Sequence, residues 1–222
     1  MAAKKSKGKK RRPLKPPKKV YQPPRSRIRP LTSRREEILS RAREMPIVGC
    51  WRTKGWQEAG ITMVLLAREK DTATALYAVY LVDLYCLGLK DAYVDFNVPR
   101  LALPRRVERL FHGEQEPCDP AFAHQLIYGA IDFARKYGFE PHEDFYRLGA
   151  DKILDPRGTH PEPYEIEFGK DGKPFYVSGP YDSPTFARRV LATLERTAPG
   201  EYRYLVTLND ADEIGGGEWV EE

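Results

Sequence analysis

The chain is poor in the residues that build metal and redox centres. Its three cysteines, Cys50, Cys86 and Cys118, are widely separated, odd in number and free of any CxxC pair, which argues against a zinc ribbon and against a disulfide framework. Reduced thiols are the expectation. Only four histidines are present, so any imidazole-based site draws on a short list. No apolar run reaches the roughly 18 to 20 residues of a membrane span, and the basic N-terminus is not followed by a hydrophobic segment. Neither a membrane span nor a secretory signal is therefore supported, and the cytoplasm is the default location. The glycines of "FGKDGKPFYVSG" match neither a Walker loop nor a dinucleotide fingerprint, because their lysines sit around a turn instead of opening a helix.

Acid is absent from one end. The first 35 residues hold eight lysines and seven arginines and no Asp or Glu, a charge of +15, which leaves 22 basic and 32 acidic side chains for the other 187 residues. The chain thus reads as a basic arm on an acidic body. Residues 1–32 are rich in Lys, Arg and Pro, and self-repulsion with fixed proline dihedrals predicts a disordered, extended arm. Its cations Lys4, Lys5, Lys7, Lys9, Lys10, Arg11, Arg12, Lys15, Lys18, Lys19, Arg25, Arg27 and Arg29 suit phosphate neutralisation with counterion release. RNA, DNA or a ribosome is the expected partner class. Tyr21 is the arm's single aromatic, which offers little for base stacking.

The rest, with 41% hydrophobic and 11% aromatic residues across the chain, can bury a real core. Residues 33–208 read as one α+β domain, and 209–222 as a flexible acidic tail. "SRREEILSRAREM" opens with Ser33 and places Glu36 three residues on, the spacing of a capping box, and Pro46 ends that helix. A Gly/Trp-rich loop leads to a strand over 61–68. The run 76–87 is apolar at both alternating sets of positions, so it predicts a central strand covered on both sides. A third strand follows Gly88. "DPAFAHQLIYGAIDFARKYG" is the clearest helix, with Asp119 as N-cap, Pro120 in the first turn and Gly138 after the last. A short helix over 142–154, a hairpin around Asp171-Gly172, a helix opened by Ser183-Pro184 and a last strand from 201 complete the order. Strands and helices are partly segregated, which favours a mixed or antiparallel sheet with packed helices over a doubly wound one.

The segments "GWQEAG", "YLVDLYCLGLKD", "HQLIYGAIDFARKYGFEPHEDF" and "IEFGKDGKPFYVSGP" together resemble a family of uncharacterised bacterial proteins sharing a core from about Pro46 to Tyr181. The resemblance implies a single compact unit, leaves the basic arm outside it and transfers no catalytic residue.

Candidate chemistry centres on a few side chains. Asp83 interrupts the two-sided apolar strand, where an unpaired carboxylate is costly, so it needs a partner: Lys90, Arg68, the backbone near Gly88, or a divalent metal shared with Asp91, Asp95 or Glu58. His124, Tyr128 and Asp132 share one helical face, but His124 and Asp132 are about 12 Å apart along the axis, too far for direct acid–base pairing. Asp83, His124 and Asp132 are the catalytic candidates, and Asp83, Asp91, His124 and His142 the metal candidates. His142, Glu143 and Asp144 also suit a helix start, where acids meet the dipole favourably. Trp51 and Trp56 flank basic residues and could stack a base, or cover a core edge. The leading functional expectation is a nucleic-acid- or ribosome-associated protein whose acidic body recognises a protein or structured RNA. The alternatives are a metal-dependent hydrolase such as a nuclease, and an interaction module without chemistry.

Overall fold

The computed structural model describes residues 31–206, with side chains from residue 34 onward. Residues 1–30, which hold all of the expected arm but Leu31 and Thr32 and all its named cations, and residues 207–222, which hold the expected acidic tail, lie outside the described residues. The fold is α+β. Five strands, β1 (Ile47–Thr53), β2 (Ile61–Glu69), β3 (Thr74–Asp83), β4 (Gly88–Pro99) and β5 (Gln115–Pro117), form one antiparallel sheet in the order β4-β3-β2-β1-β5.

The two-sided apolar run is β3, and each face meets its own core. Leu76, Ala78, Tyr80 and Val82 join the larger one, beneath helix α4 (Pro120–Lys136). Tyr77 and Val79 join the smaller one, beneath α3 (Leu103–Phe111), which buries Leu103, Val107 and Phe111. Leu126, Ile127 and Ile131 of α4 are essentially fully buried, and each is worth roughly 1.5–3 kcal/mol relative to exposure. The α4 side, with ten buried residues on that helix against three on α3, therefore dominates the packing energy. Asp119 caps α4 as its sequence predicts, accepting from the Ala121 amide at 2.8 Å, and Ser183 caps α7 (Pro184–Thr197) through the Phe186 amide at 3.1 Å. Gly88 begins β4 with φ +67°, and a Cβ there would lie 2.8 Å from the Ala130 carbonyl oxygen, so the turn before β4 rests directly on α4.

Several expectations are corrected. The first helix, α1 (Leu31–Arg41), starts before Ser33, which falls in its first turn instead of capping it, and a 3-10 turn Ala42–Glu44 follows. The expected Gly/Trp-rich loop begins as the end of strand β1, and Trp56 opens a one-turn helix, α2 (Trp56–Ala59). The helix expected over 142–154 is two turns, α5 (Asp144–Arg147) and α6 (Ala150–Ile153), broken at Gly149, which takes φ +77° and whose lack of a Cβ leaves room for Leu39 of α1. The hairpin keeps its turn, with Asp171 and Gly172 both at positive φ, but only one bridge, Lys170 to Lys173, forms beside it. Tyr164, Ile166 and Phe168 pack into the α4 core instead, which pulls the first arm off the ladder. The second arm, β6 (Phe175–Val177), pairs in parallel with β7 (Arg203–Leu205). No helix of the described residues is long and apolar enough to cross a membrane.

Candidate functional site

Asp83 ends β3 at 8% exposure and points back into the turn that follows. Its Oδ1 accepts from the amides of Tyr85 at 2.9 Å and Cys86 at 3.0 Å. Burial pushes its carboxyl up from the ordinary value, opposed by the amides of Cys86, Tyr85 and Leu87 and by the Lys90 charge. Its hydrogen-bonding partner is thus the backbone. Lys90 instead pairs with Asp182 at 3.4 Å, and Asp182 also accepts from the Tyr176 hydroxyl at 3.0 Å and the Gly179 amide at 2.9 Å.

Arg68 is 2% exposed and clamps a different region. Its guanidinium donates to the carbonyls of Ile153 (2.7 Å), Met45 (2.8 Å) and Arg43 (3.3 Å) and to Asp155 Oδ1 (2.6 Å). The other Asp155 oxygen meets His160 Nε2 at 2.9 Å. Burial would raise the Asp155 carboxyl, but the His160 hydrogen bond and the Arg68 charge outweigh it and hold it below the ordinary value. The His124 ring lies 5.0 Å from that of His160, with Nε2 2.8 Å from the Pro156 carbonyl oxygen. Carboxylate and carbonyl only accept, so both histidines present Nε2–H, and a neutral ring keeps Nδ1 bare. The Nδ1 of His124 is buried without a partner. Asp132 does not reach it: that carboxylate pairs with Arg157 at 2.5 Å, and Arg157 lies over the Tyr128 ring at 4.3 Å. A carboxylate-oriented imidazole has the form of a general base, but the hydrogen bonds of His160 and His124 go to Asp155 and Pro156, not to a hydroxyl or thiol that could serve as nucleophile.

The third cluster joins two of the metal candidates. Asp91 on β4 and His142 before α5 come together with Asp144, their ligating atoms all within 4.8 Å of one another. His142 Nδ1 is 3.8 Å from a carboxylate oxygen of each aspartate. The place of His142 is fixed by its amide, which donates to the Leu89 carbonyl at 2.9 Å, and that of Asp91 by the Ala92 amide at 2.7 Å. Arg147 pairs with Asp144 from the next turn. His142 also lines a groove of about 300 Å³ between β4 and α7, whose cationic walls are Lys90 and Arg189. Among the described residues this is the one group of three or more His, Cys, Asp or Glu side chains spaced to hold a metal ion, and neither Asp83 nor His124 belongs to it.

The tryptophans are engaged. Trp56 is buried edge-on to Phe122 at 5.4 Å with Arg52 over its ring, and Trp51 packs half-buried against the smaller core. Trp56 leaves no open face like that of a stacking platform. The chain matches no family model, no curated protein and no solved structure. Sequence reasoning missed Asp144 as a member of this cluster, although the His-x-Asp spacing carried a local signal. Asp155 and His160 had none, since they meet across a Pro/Gly loop.

Proposed function

We propose that this is a nucleic-acid- or ribosome-associated protein whose basic N-terminal segment supplies phosphate affinity and whose acidic body recognises a partner. One observation carries the reading: all 15 basic charges of the first 35 residues stand without an acid among them, while the remaining chain is net acidic. The segment enters the body through α1, where Leu39 packs at Gly149 and Arg35 lies over the Phe96 ring at 5.3 Å, so the cations are tethered at one place. Deleting residues 1–32 is expected to abolish co-sedimentation with RNA or ribosomes at low salt. For the intact chain, the logarithm of affinity for single-stranded RNA should fall with log salt by about 0.7 per phosphate neutralised. Unchanged sedimentation after the deletion, or affinity insensitive to salt, would overturn the reading.

A second reading, a metal-dependent hydrolase, is favoured by the convergence of Asp91, His142 and Asp144. Two carboxylates and an imidazole suit Mn²⁺ or Zn²⁺, and a metal there could activate water beside a groove whose Lys90 and Arg189 would hold a phosphate. Metal binding has to compete with the Arg147–Asp144 pair. Calorimetric titration of the full chain with Mn²⁺ and Zn²⁺ is expected to show one saturable site that His142→Ala and Asp91→Asn each weaken by at least tenfold, the scale of losing one ligand contact. Binding with no metal-dependent cleavage of a phosphodiester would retire the hydrolase and leave a metal site.

A further inference from the structure

Two of the three cysteines, 68 positions apart in sequence, are neighbours in space: Cys50 Sγ lies 3.3 Å from Cys118 Sγ. The sheet register puts them there. Trp51 of β1 pairs with Pro117 of β5, and one step along the ladder the Cys118 amide donates to the Cys50 carbonyl at 3.0 Å, so the two residues stand opposite each other. Opposed residues of an antiparallel pair have Cα atoms about 4.5–5.5 Å apart, inside the roughly 4.4–6.8 Å that a disulfide spans. Both are free thiols, and they differ in access: Cys50 is 4% exposed, whereas Cys118 is partly open to solvent.

We propose that Cys50 and Cys118 form an oxidisable dithiol that closes to an intramolecular disulfide by exchange with a low-molecular-weight disulfide, tying the edge strand β5 covalently to β1. The roles follow from access. The Cys118 thiolate attacks one sulfur of the small disulfide, forming a mixed disulfide and releasing one thiolate. That thiolate takes the proton of Cys50, whose sulfur then attacks Cys118 Sγ and expels the second small thiolate, which takes up from water the proton that Cys118 gave up on ionising. The protein loses two electrons and two protons, and the small disulfide gains them as two thiols. The Cys50 proton is held tightly by its hydrogen bond to Cys118 and by burial, which makes Cys50 the resolving thiol and not the initiating one. Closure acts on a weak place, because β5 has only three residues and the next residue after Cys118 is Asp119, the cap of α4. Cys86 is fully buried in a separate core and serves as the internal control.

The test uses the reduced full-length chain and 2-hydroxyethyl disulfide, a neutral probe, followed by denaturation, maleimide blocking, intact mass and peptide mapping. The expected result is a fall from three free thiols to one, with Cys86 free, Cys50 and Cys118 in one cross-linked peptide and no retained reagent. Dithiothreitol should restore three. Cys50→Ser should instead trap the reagent on Cys118, and Cys118→Ser should leave Cys50 unmodified in the native protein. Three free thiols after treatment, or a wild-type chain that accumulates reagent on Cys118 without closing, would overturn the proposal. The wild-type map decides the matter even if a serine variant fails to fold.

Discussion

Replacing Arg68 with methionine is expected to cost roughly 3–5 kcal/mol, the penalty of removing one partner from a buried ion pair. The methionine keeps most of the apolar stem, so the loss isolates the guanidinium. Its removal strands three carbonyls, those of Arg43, Met45 and Ile153, and leaves Asp155 with His160 alone. Native domains hold about 5–15 kcal/mol in total, so this one change consumes a large share. Equilibrium urea unfolding at neutral pH is the measurement. pH provides a sharper signature. The wild-type Asp155 carboxyl lies below its ordinary value of 3.8, so its contribution is present above that value and is lost as pH falls through the lower folded value. Arg68→Met lacks part of that contribution, and the gap between the two proteins should narrow in acid below 3.8. Arg68→Met with Asp155→Asn should recover part of the loss at neutral pH, because it removes the uncompensated charge. A single variant within about 1 kcal/mol of wild type would mean that water reaches and satisfies the stranded groups.

The same residue shows what the sequence made legible. The unbroken apolar run "ALYAVYLV" marks β3 as covered on both faces, since a strand with one solvated face would need polar residues at every second position. Asp119-Pro120 and Ser183-Pro184 mark helix starts for local reasons, because the cap is made within the same turn. Arg68 carries no such signal: its partners lie 23 to 87 positions away, on segments whose approach depends on how α6 docks. Strand β1 was obscured by Gly49 and by the clustered Trp and Lys residues after it, although Gly49 is required because the Trp51 ring covers the space a Cβ would fill. The Asp91–His142 approach depends on the His142 amide meeting Leu89, and the Cys50–Cys118 approach on the register of β5. Both are long-range facts that neither composition nor spacing encodes.

Asp83 yields the second large effect. Replacing it with alanine leaves the amides of Tyr85 and Cys86 buried without their acceptor, at about 1–3 kcal/mol for each stranded group, so a loss of roughly 2–6 kcal/mol is expected from thermal or urea unfolding. Asp83→Asn keeps an acceptor oxygen and should cost less than half as much. The pH dependence of the asparagine variant distinguishes a buried neutral acid from a buried ion. The folded carboxyl is raised above 3.8, so between that value and the raised one the folded chain binds more protons than the unfolded chain. The resulting contribution to stability is fully present below 3.8 and is lost as pH rises through the folded value. Wild type should therefore lead Asp83→Asn by the widest margin in acid, and the margin should shrink toward neutral pH. A margin that instead widens with pH would mean that the three turn amides and Lys90 together overcome the burial penalty. The turn would then hold a fixed negative charge that acts on Lys90, which lines the groove, and that charge would disfavour a phosphate there. The shrinking margin takes that charge away and leaves the Asp182 carboxylate, paired with Lys90, as the competitor for a phosphate there, so the stability profile of one turn also bears on what the groove can bind.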